Sequence, residues 1–177
     1  MHIEVLEDNV DIDAINNEIG IIKKTLGLQL DWDQISLQGH QPNFNPTEYW
    51  DANTGKANNI DFPENYYKHL LFNNTPTINR YIEKYGLVRT RLMKSKSKTC
   101  LTWHRDLSKR IHIPVKSQDG CFMVIEDARY FLEPGKVYLV NTTKFHTAFN
   151  GSLSSRVHIM GCFYSYPIDI LHNKKLF

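Results

Sequence analysis

The chain has 177 residues, of which 41% are hydrophobic, 12% aromatic and 23% charged, and its formal net charge is +2 at pH 7. This length and composition predict one globular domain with a substantial core and exclude a disordered chain. The near-neutral charge argues against a nucleic-acid partner or a polybasic membrane binder, and the lack of a long apolar run or a signal-like N-terminus predicts a soluble, cytoplasmic protein.

The N-terminal zone, residues 1–85, mixes helical patterns with polar loops. Apolar residues recur at helical spacing over residues 11–26 and predict an amphipathic helix. A short strand is expected over 34–38, a long loop over 39–55 and one or two helices over 63–85. The long loop is rich in asparagine and aromatic residues, so it is either a substrate-binding element or a solvated excursion.

The following zone, residues 86–166, has the pattern of consecutive short strands, and a tail follows at 167–177. The expected strands are 87–93, 110–115, 121–126, 130–132, 137–140, 145–149 and 156–164. Asn150-Gly151 predicts a tight turn before the last of them. About seven short strands in one domain predict a sandwich, jelly roll or small barrel, with residues 1–85 as a helical and loop-rich support.

The three cysteines, Cys100, Cys121 and Cys162, lie far apart and include no CxxC pair. This spacing excludes a disulfide framework and a zinc ribbon. We expect all three to be buried as small apolar side chains.

Two of the expected strands carry the pattern Arg-x-His on one face and apolar residues on the other. Arg110 and His112 form this face in the first strand, and Arg156 and His158 form it in the last. On an outer surface such a face is merely the wet side of a sheet. Inside a closed barrel it lines a cavity, where two arginines require an anionic ligand or buried carboxylates.

A possible metal site is indicated by His104 and Asp106, which point to the same side of an extended chain. His-x-Asp alone also fits a surface turn. A second imidazole, His146, begins a later expected strand. Two histidines and one carboxylate occupy one face of an octahedron and suit non-haem Fe(II), because three coordination positions stay open.

These residues occur within a pattern that resembles the Fe(II)- and 2-oxoglutarate-dependent dioxygenases, in the aspartyl/asparaginyl β-hydroxylase-like branch. The matching segments are WHRD at 103–106, RIHIPV at 110–115, GCFMV at 120–124, LEPGKV at 132–137, NTTKFH at 141–146, NGS at 150–152 and RVH at 156–158. The resemblance covers residues 87–166 and implies a mainly β chain with N-terminal helices, built on a double-stranded β-helix, the cupin-like jelly roll.

The resemblance also implies a site and an activity. The implied Fe(II) ligands are His104, Asp106 and His146. Arg156 would bind the distal carboxylate of the cosubstrate 2-oxoglutarate, while Arg110 and His112 would help to hold its other end. The implied reaction uses O₂ to hydroxylate a C–H bond of a peptide side chain or a small amino-acid-like substrate, and it releases succinate and CO₂.

The sequence departs from the family at two places. The best-known peptide hydroxylases of this branch lack the carboxylate ligand, whereas Asp106 is present here, so their substrates do not carry over to this chain. The second departure is the stretch 93–99. The family often places a hydroxyl residue a little before this point to assist the cosubstrate arginine, and this chain aligns with it only through a gap.

Two other functions fit the same residues. One is a non-catalytic jelly-roll module that retains a metal or a small anion, and it predicts no 2-oxoglutarate turnover. The other is a zinc-dependent hydrolase or isomerase on a cupin-like barrel, which predicts activity without oxygen. Arg156, ten residues beyond His146, favours the oxygenase because a hydrolase has no need of it.

Overall fold

The described part of the chain, residues 1–27, 32–42 and 63–164 of a computed structural model, contains two helices and short strands. In chain order the elements are β1 (Ile3–Glu7), α1 (Ile12–Thr25), β2 (Gln34–Ser36), β3 (Gln38–Gly39), a 3-10 turn (Glu64–Tyr66), β4 (His69–Leu70), α2 (Pro76–Lys84), β5 (Val88–Ser95), β6 (Thr99–Cys100), β7 (Lys109–Lys116), β8 (Cys121–Ile125), β9 (Ala128–Tyr130), β10 (Val137–Val140), β11 (His146–Asn150) and β12 (Arg156–Phe163).

The strands form two main antiparallel sheets. The larger sheet has six strands in the order β1-β10-β7-β12-β5-β2, and the smaller has four in the order β6-β11-β8-β9. From β10 to β12 the chain passes from the larger sheet to the smaller and back. This alternation between two sheets is the connectivity of a jelly roll, so the fold class expected from the sequence is confirmed.

The larger hydrophobic core lies between the six-stranded sheet and the two helices. Its members are fully or almost fully buried and include Ile15, Ile19 and Ile22 of α1, Ile78, Tyr81 and Ile82 of α2, and Leu92, Ile111, Ile113 and Ile159 of the sheet. The apolar positions of α1 and α2 recur at helical spacing, so each helix presents one stripe to the sheet. This core holds the outer face of the larger sheet away from water.

The two helices are joined by a buried carboxylate. Asp11 caps α1, since its side chain accepts a hydrogen bond from the Ala14 amide at 2.9 Å. Glu18 lies two turns beyond Asp11, and it accepts hydrogen bonds from the amides of Thr77 and Ile78 at 2.7 and 2.8 Å. These amides belong to the first turn of α2, where unpaired N–H groups favour a negative charge.

The second core lies between the two sheets. It contains Tyr138 and Val140 of β10 and Met123, Ile125 and Ala148 of the smaller sheet. The strand β7 is therefore buried on both faces, against helices on one side and against the smaller sheet on the other. The Arg-x-His faces of β7 and β12 point into this inter-sheet space, which favours the cavity over the wet surface as their environment.

The local expectations had mixed outcomes. Of the one or two helices expected over residues 63–85, one is present as α2, and it is preceded by a 3-10 turn and the strand β4. The tight turn expected at Asn150-Gly151 is instead a longer connection, because β11 and β12 belong to different sheets and the chain bends over residues 152–154 between them. Asn150 is buried, and its side-chain amide donates to three backbone carbonyls. Cys121 and Cys162 are buried as expected, but Cys100 is exposed.

Most of the expected loop at 39–55 lies outside the described residues, as does the tail at 167–177. Within the described ranges, neither helix has the length and apolar character needed to cross a membrane. The strand β1, which the sequence did not predict, pairs with β10 and extends the larger sheet at its edge. The N-terminal zone therefore contributes strands to the sheet as well as helices that cover it.

Two neighbouring isoleucines of α1 provide a direct test of this packing. Ile22 is fully buried and Ile21 is 39% exposed. We expect Ile22→Ala to lower the free energy of unfolding by about 2–5 kcal/mol, because it opens a cavity beneath the helix. Ile21→Ala should change it by less than about 1 kcal/mol. Urea unfolding followed by far-UV circular dichroism measures both, and equal losses would contradict the packing of α1 described here.

Candidate active site

The backbone itself brings the predicted metal ligands together. The segment that precedes β7 runs antiparallel to the start of β11, and His104 and His146 exchange two backbone hydrogen bonds of 3.1 and 2.7 Å. The amide of Asp106 donates to the carbonyl of Thr142 at 2.8 Å. Positions far apart in sequence are thus held side by side by the same type of contact that joins strands.

The three side chains converge. One ligand atom from each of His104, Asp106 and His146 lies within 4.8 Å of the other two, close enough for a single divalent ion to be shared. The Nδ1 atom of His104 lies 2.6 Å from the Thr102 carbonyl oxygen, and that of His146 lies 3.0 Å from the Lys144 carbonyl oxygen. Since a carbonyl only accepts, each Nδ1 carries the proton and each Nε2 is left with a free lone pair.

The chemistry of this donor set fits a transition metal. Burial lowers the pKa of His146, and the neighbouring His104 and Arg110 lower it further, against the opposing effects of the Lys144 carbonyl and Asp106. The imidazole is therefore neutral at pH 7, which is the form that binds a metal. Asp106 supplies an oxygen ligand, and its Oδ2 atom lies 3.7 Å from Nε2 of His146. Two imidazoles and one carboxylate are the set expected for non-haem iron.

Behind Asp106 lies a buried network centred on Glu64, a residue that the sequence did not single out. Arg110 donates to Asp106 through Nε at 3.1 Å and to both oxygens of Glu64 through Nη1 and Nη2 at 3.0 and 2.7 Å. Arg89 donates to Glu64 at 2.6 Å, and the hydroxyls of Ser108 and Tyr164 donate to it at 3.2 and 2.9 Å. One carboxylate thus lies between two buried guanidinium groups, and Asp106 supplies a second negative charge beside Arg110.

The backbone of β5 bends to bring Arg89 into this network. Arg89 has a φ of +51°, in the left-handed region that side chains other than glycine rarely adopt. At this point the register of β5 against β12 shifts between Met160 and Cys162, as in a β-bulge. A bulge re-aims the side chain that it carries. The ion pair with Glu64 therefore accompanies a strained backbone position.

The opposite end of the Arg-x-His faces contains a different kind of arginine. Arg156 is 6% exposed, and within the described ranges no carboxylate lies within 4.0 Å of its guanidinium. Burial lowers its pKa to about 10, so it is still charged at pH 7. Among the described residues, the Arg156 side chain contacts His158, and Nη2 of the arginine lies 3.1 Å from Nδ1 of the histidine. A buried cation without an acidic partner is costly unless an anion binds it.

The predicted residues therefore fall into three groups. His104, Asp106 and His146 meet at one point. Arg156 is connected to His112 through His158, whose Nδ1 lies 3.4 Å from that of His112. Arg110 donates four N–H groups, to Asp106, to both oxygens of Glu64 and to Ser108, which leaves one of its five for any ligand.

Two partners in this arrangement, Glu64 and Arg89, had little signal in the sequence. Arg89 and Arg91 are two residues apart in β5, the same spacing that separates the arginine and the histidine in β7 and β12. This spacing is the one sequence signal that could have indicated a third polar strand face. Glu64 lies in a stretch whose helical interpretation was wrong, and nothing in the local pattern separates it from the neighbouring polar residues. Its role arises from contacts over 25 to 100 residues of sequence.

The fold and the triad define a jelly-roll protein with a candidate two-histidine, one-carboxylate metal centre. The family model of the aspartyl/asparaginyl β-hydroxylases matches residues 6–165. The chain therefore belongs to this family of hydroxylases, as the resemblance in its C-terminal half indicated. The match extends beyond that half and includes the N-terminal helices and strands.

Similar solved structures include two whose alignments cover most of this chain. A viral collagen prolyl hydroxylase of Paramecium bursaria Chlorella virus-1, in its 2-oxoglutarate complex, covers 93% of this chain and 97% of its own at 10% identity and a TM-score of 0.49. AviO1 of Streptomyces viridochromogenes covers 94% and 91% at 14% identity and a TM-score of 0.47. A cupin domain of Bordetella pertussis covers 43% and 80% at 14% identity and a TM-score of 0.38. No curated protein sequence matches the chain significantly.

The Glu64 network makes a prediction for stability. Glu64→Gln removes the charge that compensates Arg89 and Arg110, so we expect the free energy of unfolding at pH 7 to fall by about 3–5 kcal/mol. A matched control is Glu133→Gln, because Glu133 is paired with Lys136 at 2.7 Å but its side chain is 54% exposed. That variant should leave the urea midpoint nearly unchanged. Similar losses in both variants would contradict the special role of the buried pair.

The same network predicts a pH dependence. Burial raises the pKa of Glu64, but the hydrogen bond and charge of Arg110 and the charge of Arg89 lower it more strongly, from 4.5 to about 2. This depression corresponds to roughly 3 kcal/mol of stability that is present above pH 4.5 and is lost as the pH falls towards 2. Urea unfolding at pH 7, 4 and 3 should therefore show wild type and Glu64→Gln converging on acidification, whereas a constant difference would reject the assignment.

Proposed function

We propose that this chain is an Fe(II)- and 2-oxoglutarate-dependent dioxygenase that hydroxylates a C–H bond of a peptide side chain or a small amino-acid-like substrate. The single observation that carries the proposal is the combination of the triad with Arg156, a buried guanidinium that lacks an acidic partner among the described residues. A metal site explains the first feature, and an anionic ligand explains the second. A cosubstrate with a metal-chelating end and a distal carboxylate accounts for both.

At the metal end, three side chains would hold Fe(II). His104 and His146 would bind through Nε2, because their Nδ1 atoms already donate to the carbonyls of Thr102 and Lys144. These bonds also fix the orientation of both rings. Bound iron supplies the oxidative chemistry by which O₂ and 2-oxoglutarate are converted, with release of succinate and CO₂, into the capacity to hydroxylate a C–H bond.

Arg110 would act mainly on Asp106. Its Nε–H holds Oδ2 of the carboxylate at 3.1 Å, and the two nitrogens of its fork are bound by Glu64. The single N–H that remains on Nη2 is available to the metal-binding end of the cosubstrate. Arg110 therefore orients a metal ligand and contributes at most one hydrogen bond to the cosubstrate.

At the other end, Arg156 would pair with the distal carboxylate of 2-oxoglutarate. A planar guanidinium can form two parallel charge-assisted hydrogen bonds with a carboxylate, and these bonds are strong where water is excluded. His112 and His158 lie on the same inner face as Arg110 and Arg156, and the Nδ1 atoms of the two histidines are 3.4 Å apart. His158 in turn contacts Arg156.

The competing functions make different demands on these residues. A zinc hydrolase uses a metal and a bound water, and it gives no reason for an uncompensated buried cation on the same face. A non-catalytic binding module accounts for the metal and the anion but not for a chelating cosubstrate that joins them. The following experiments separate these functions through binding and through oxygen dependence.

Removal of either histidine ligand should abolish metal binding. We expect His104→Ala and His146→Ala each to lose tight binding of Mn(II), measured anaerobically by calorimetry, and to lose oxygen-dependent succinate production with Fe(II) and 2-oxoglutarate. His69→Ala is the matched control, because His69 lies on the distant strand β4 and should retain both. Normal metal binding by both ligand variants would show that the site is misplaced, and turnover without oxygen would favour a hydrolase.

Removal of the anion site should separate cosubstrate binding from metal binding. We expect Arg156→Met to bind Mn(II) as the wild type does and to bind N-oxalylglycine, an inert analogue of 2-oxoglutarate, roughly 10- to 100-fold more weakly, since charge-assisted hydrogen bonds contribute about 1.5–3 kcal/mol. Arg129→Met, which removes an arginine that lies over the Phe122 ring, is the control. Equal affinity of wild type and Arg156→Met for the analogue would reject the role of Arg156.

A further inference from the structure

His158 is the side chain that holds Arg156 in place within the described part of the chain. It lies two residues further along β12 on the same inner face, it is 1% exposed, and its Nδ1 atom is 3.1 Å from Nη2 of Arg156. A guanidinium has five N–H donors and no acceptor. The arginine must therefore donate, and Nδ1 of His158 must be the unprotonated nitrogen of its ring.

This assignment determines the state of the neighbouring histidine. The Nδ1 atom of His112 lies 3.4 Å from Nδ1 of His158, with the two rings nearly perpendicular. Since Nδ1 of His158 has no proton, this contact is attractive only if Nδ1 of His112 carries one. That nitrogen has a single lone pair, which the two donors share, so the free protein contains the Nε2–H tautomer of His158 and the Nδ1–H tautomer of His112.

Both rings are neutral. Burial lowers the pKa of His112 and of His158 well below 6.5, and the charge of Arg156 lowers both further. The nearby charged and titratable groups that act on His112 also include His146, Arg110 and Arg91. An imidazolium next to Arg156 would have no N lone pair to offer it, so the contact requires the neutral form.

Stability alone gives no reason for this pair. The Nε2 atoms of His112 and His158 are both buried, and neither makes a hydrogen bond to any of the described residues. A buried polar atom left without a partner lowers stability by about 1–3 kcal/mol. A histidine retained only for packing would be expected to have both nitrogens satisfied, so the arrangement indicates a role in binding.

We propose that His158 is a positioning residue for the anion site, a neutral acceptor that fixes one N–H of Arg156 so that the other guanidinium N–H groups face a bound carboxylate. His112 supports it by donating to the same nitrogen of His158. This inference rests on the proposed function, because the carboxylate is that of 2-oxoglutarate. It also identifies a ring nitrogen as the substitute for the hydroxyl residue that the family often places beside this arginine.

The first experiment examines the tautomers in the metal-free protein. Nitrogen-15 NMR of histidine-labelled protein distinguishes protonated from bare ring nitrogens. We expect the His158 ring to be protonated on Nε2 and the His112 ring on Nδ1, with each signal assigned by loss in His158→Leu or His112→Leu. A His158 ring protonated on Nδ1 would overturn the proposal, whatever the protein does with metals.

The second experiment measures ligand binding to the Mn(II)-loaded protein. His158→Leu removes the acceptor, and His158→Asn retains an acceptor oxygen close to the position of Nδ1. We expect the leucine variant to bind N-oxalylglycine about tenfold more weakly and the asparagine variant to recover most of that loss. Oxalate, which chelates a metal but has no distal carboxylate, should bind equally to wild type and both variants.

The outcomes separate this inference from the function on which it rests. If wild type binds oxalate and N-oxalylglycine and the leucine variant matches it, the positioning role is rejected and the proposed function stands. If both variants lose the same affinity, the acceptor is not the relevant feature and the proposal is likewise overturned. If wild type binds neither ligand, the proposed function fails and the positioning role with it. The leucine variant should remain folded, with the far-UV circular dichroism spectrum of the wild type, so that misfolding does not account for its weaker binding.

Discussion

Arg89 and Arg110 are buried against one carboxylate, Glu64, and this cluster is the interaction on which the site depends. A guanidinium removed from water loses most of its hydration, and an acidic partner with good geometry must compensate for that loss. Glu64 accepts from both arginines and from two hydroxyls, so all of its lone pairs are engaged. The cluster also orients Asp106, because Arg110 is held by Glu64 and donates from its Nε–H to the Asp106 carboxylate.

The two Arg-x-His strands therefore serve different purposes despite the same local pattern. In β7, Arg110 is compensated within the protein and is part of the folded scaffold. In β12, Arg156 has no carboxylate within reach among the described residues, and only a neutral imidazole contacts it. Burial of the Arg156 guanidinium without an acidic partner is unfavourable, and under the proposed function an anion that binds there would relieve this cost. A carboxylate of the protein at that position would compete with that anion.

The candidate metal ligands are positioned by backbone pairing. Because His104 and His146 exchange backbone hydrogen bonds, the separation of their side chains is set by the geometry of an antiparallel pair rather than by a flexible loop. Each ring is then oriented by a carbonyl two residues away in its own segment. Rigid presentation of this kind reduces the reorganisation that metal binding requires.

The sequence by itself determined a large part of the fold. The strands β7, β8, β10, β11 and β12 and the helix α1 were predicted within one or two residues. Regular apolar spacing marks α1 and β7, whereas short apolar runs next to turn residues mark β8 and β10. The strand β1 was missed, as were the 3-10 turn and β4 within residues 63–85, since those segments are short and their pairing partners are distant. Asn150-Gly151 predicted a tight turn, but the sheet to which β12 belongs is decided by its neighbours β5 and β7.

For the site, the pattern of residue types together with the family resemblance selected His104, Asp106, His146 and Arg156, and the fold brings the first three within 4.8 Å of one another. The same information was not sufficient to distinguish Arg110 from Arg156 or to find Glu64. Those distinctions depend on which charged side chains the tertiary structure places in contact. Local periodicity describes one face of one strand, whereas compensation of a buried charge depends on residues brought together only when the sheets and the segment at Glu64–Tyr66 have packed.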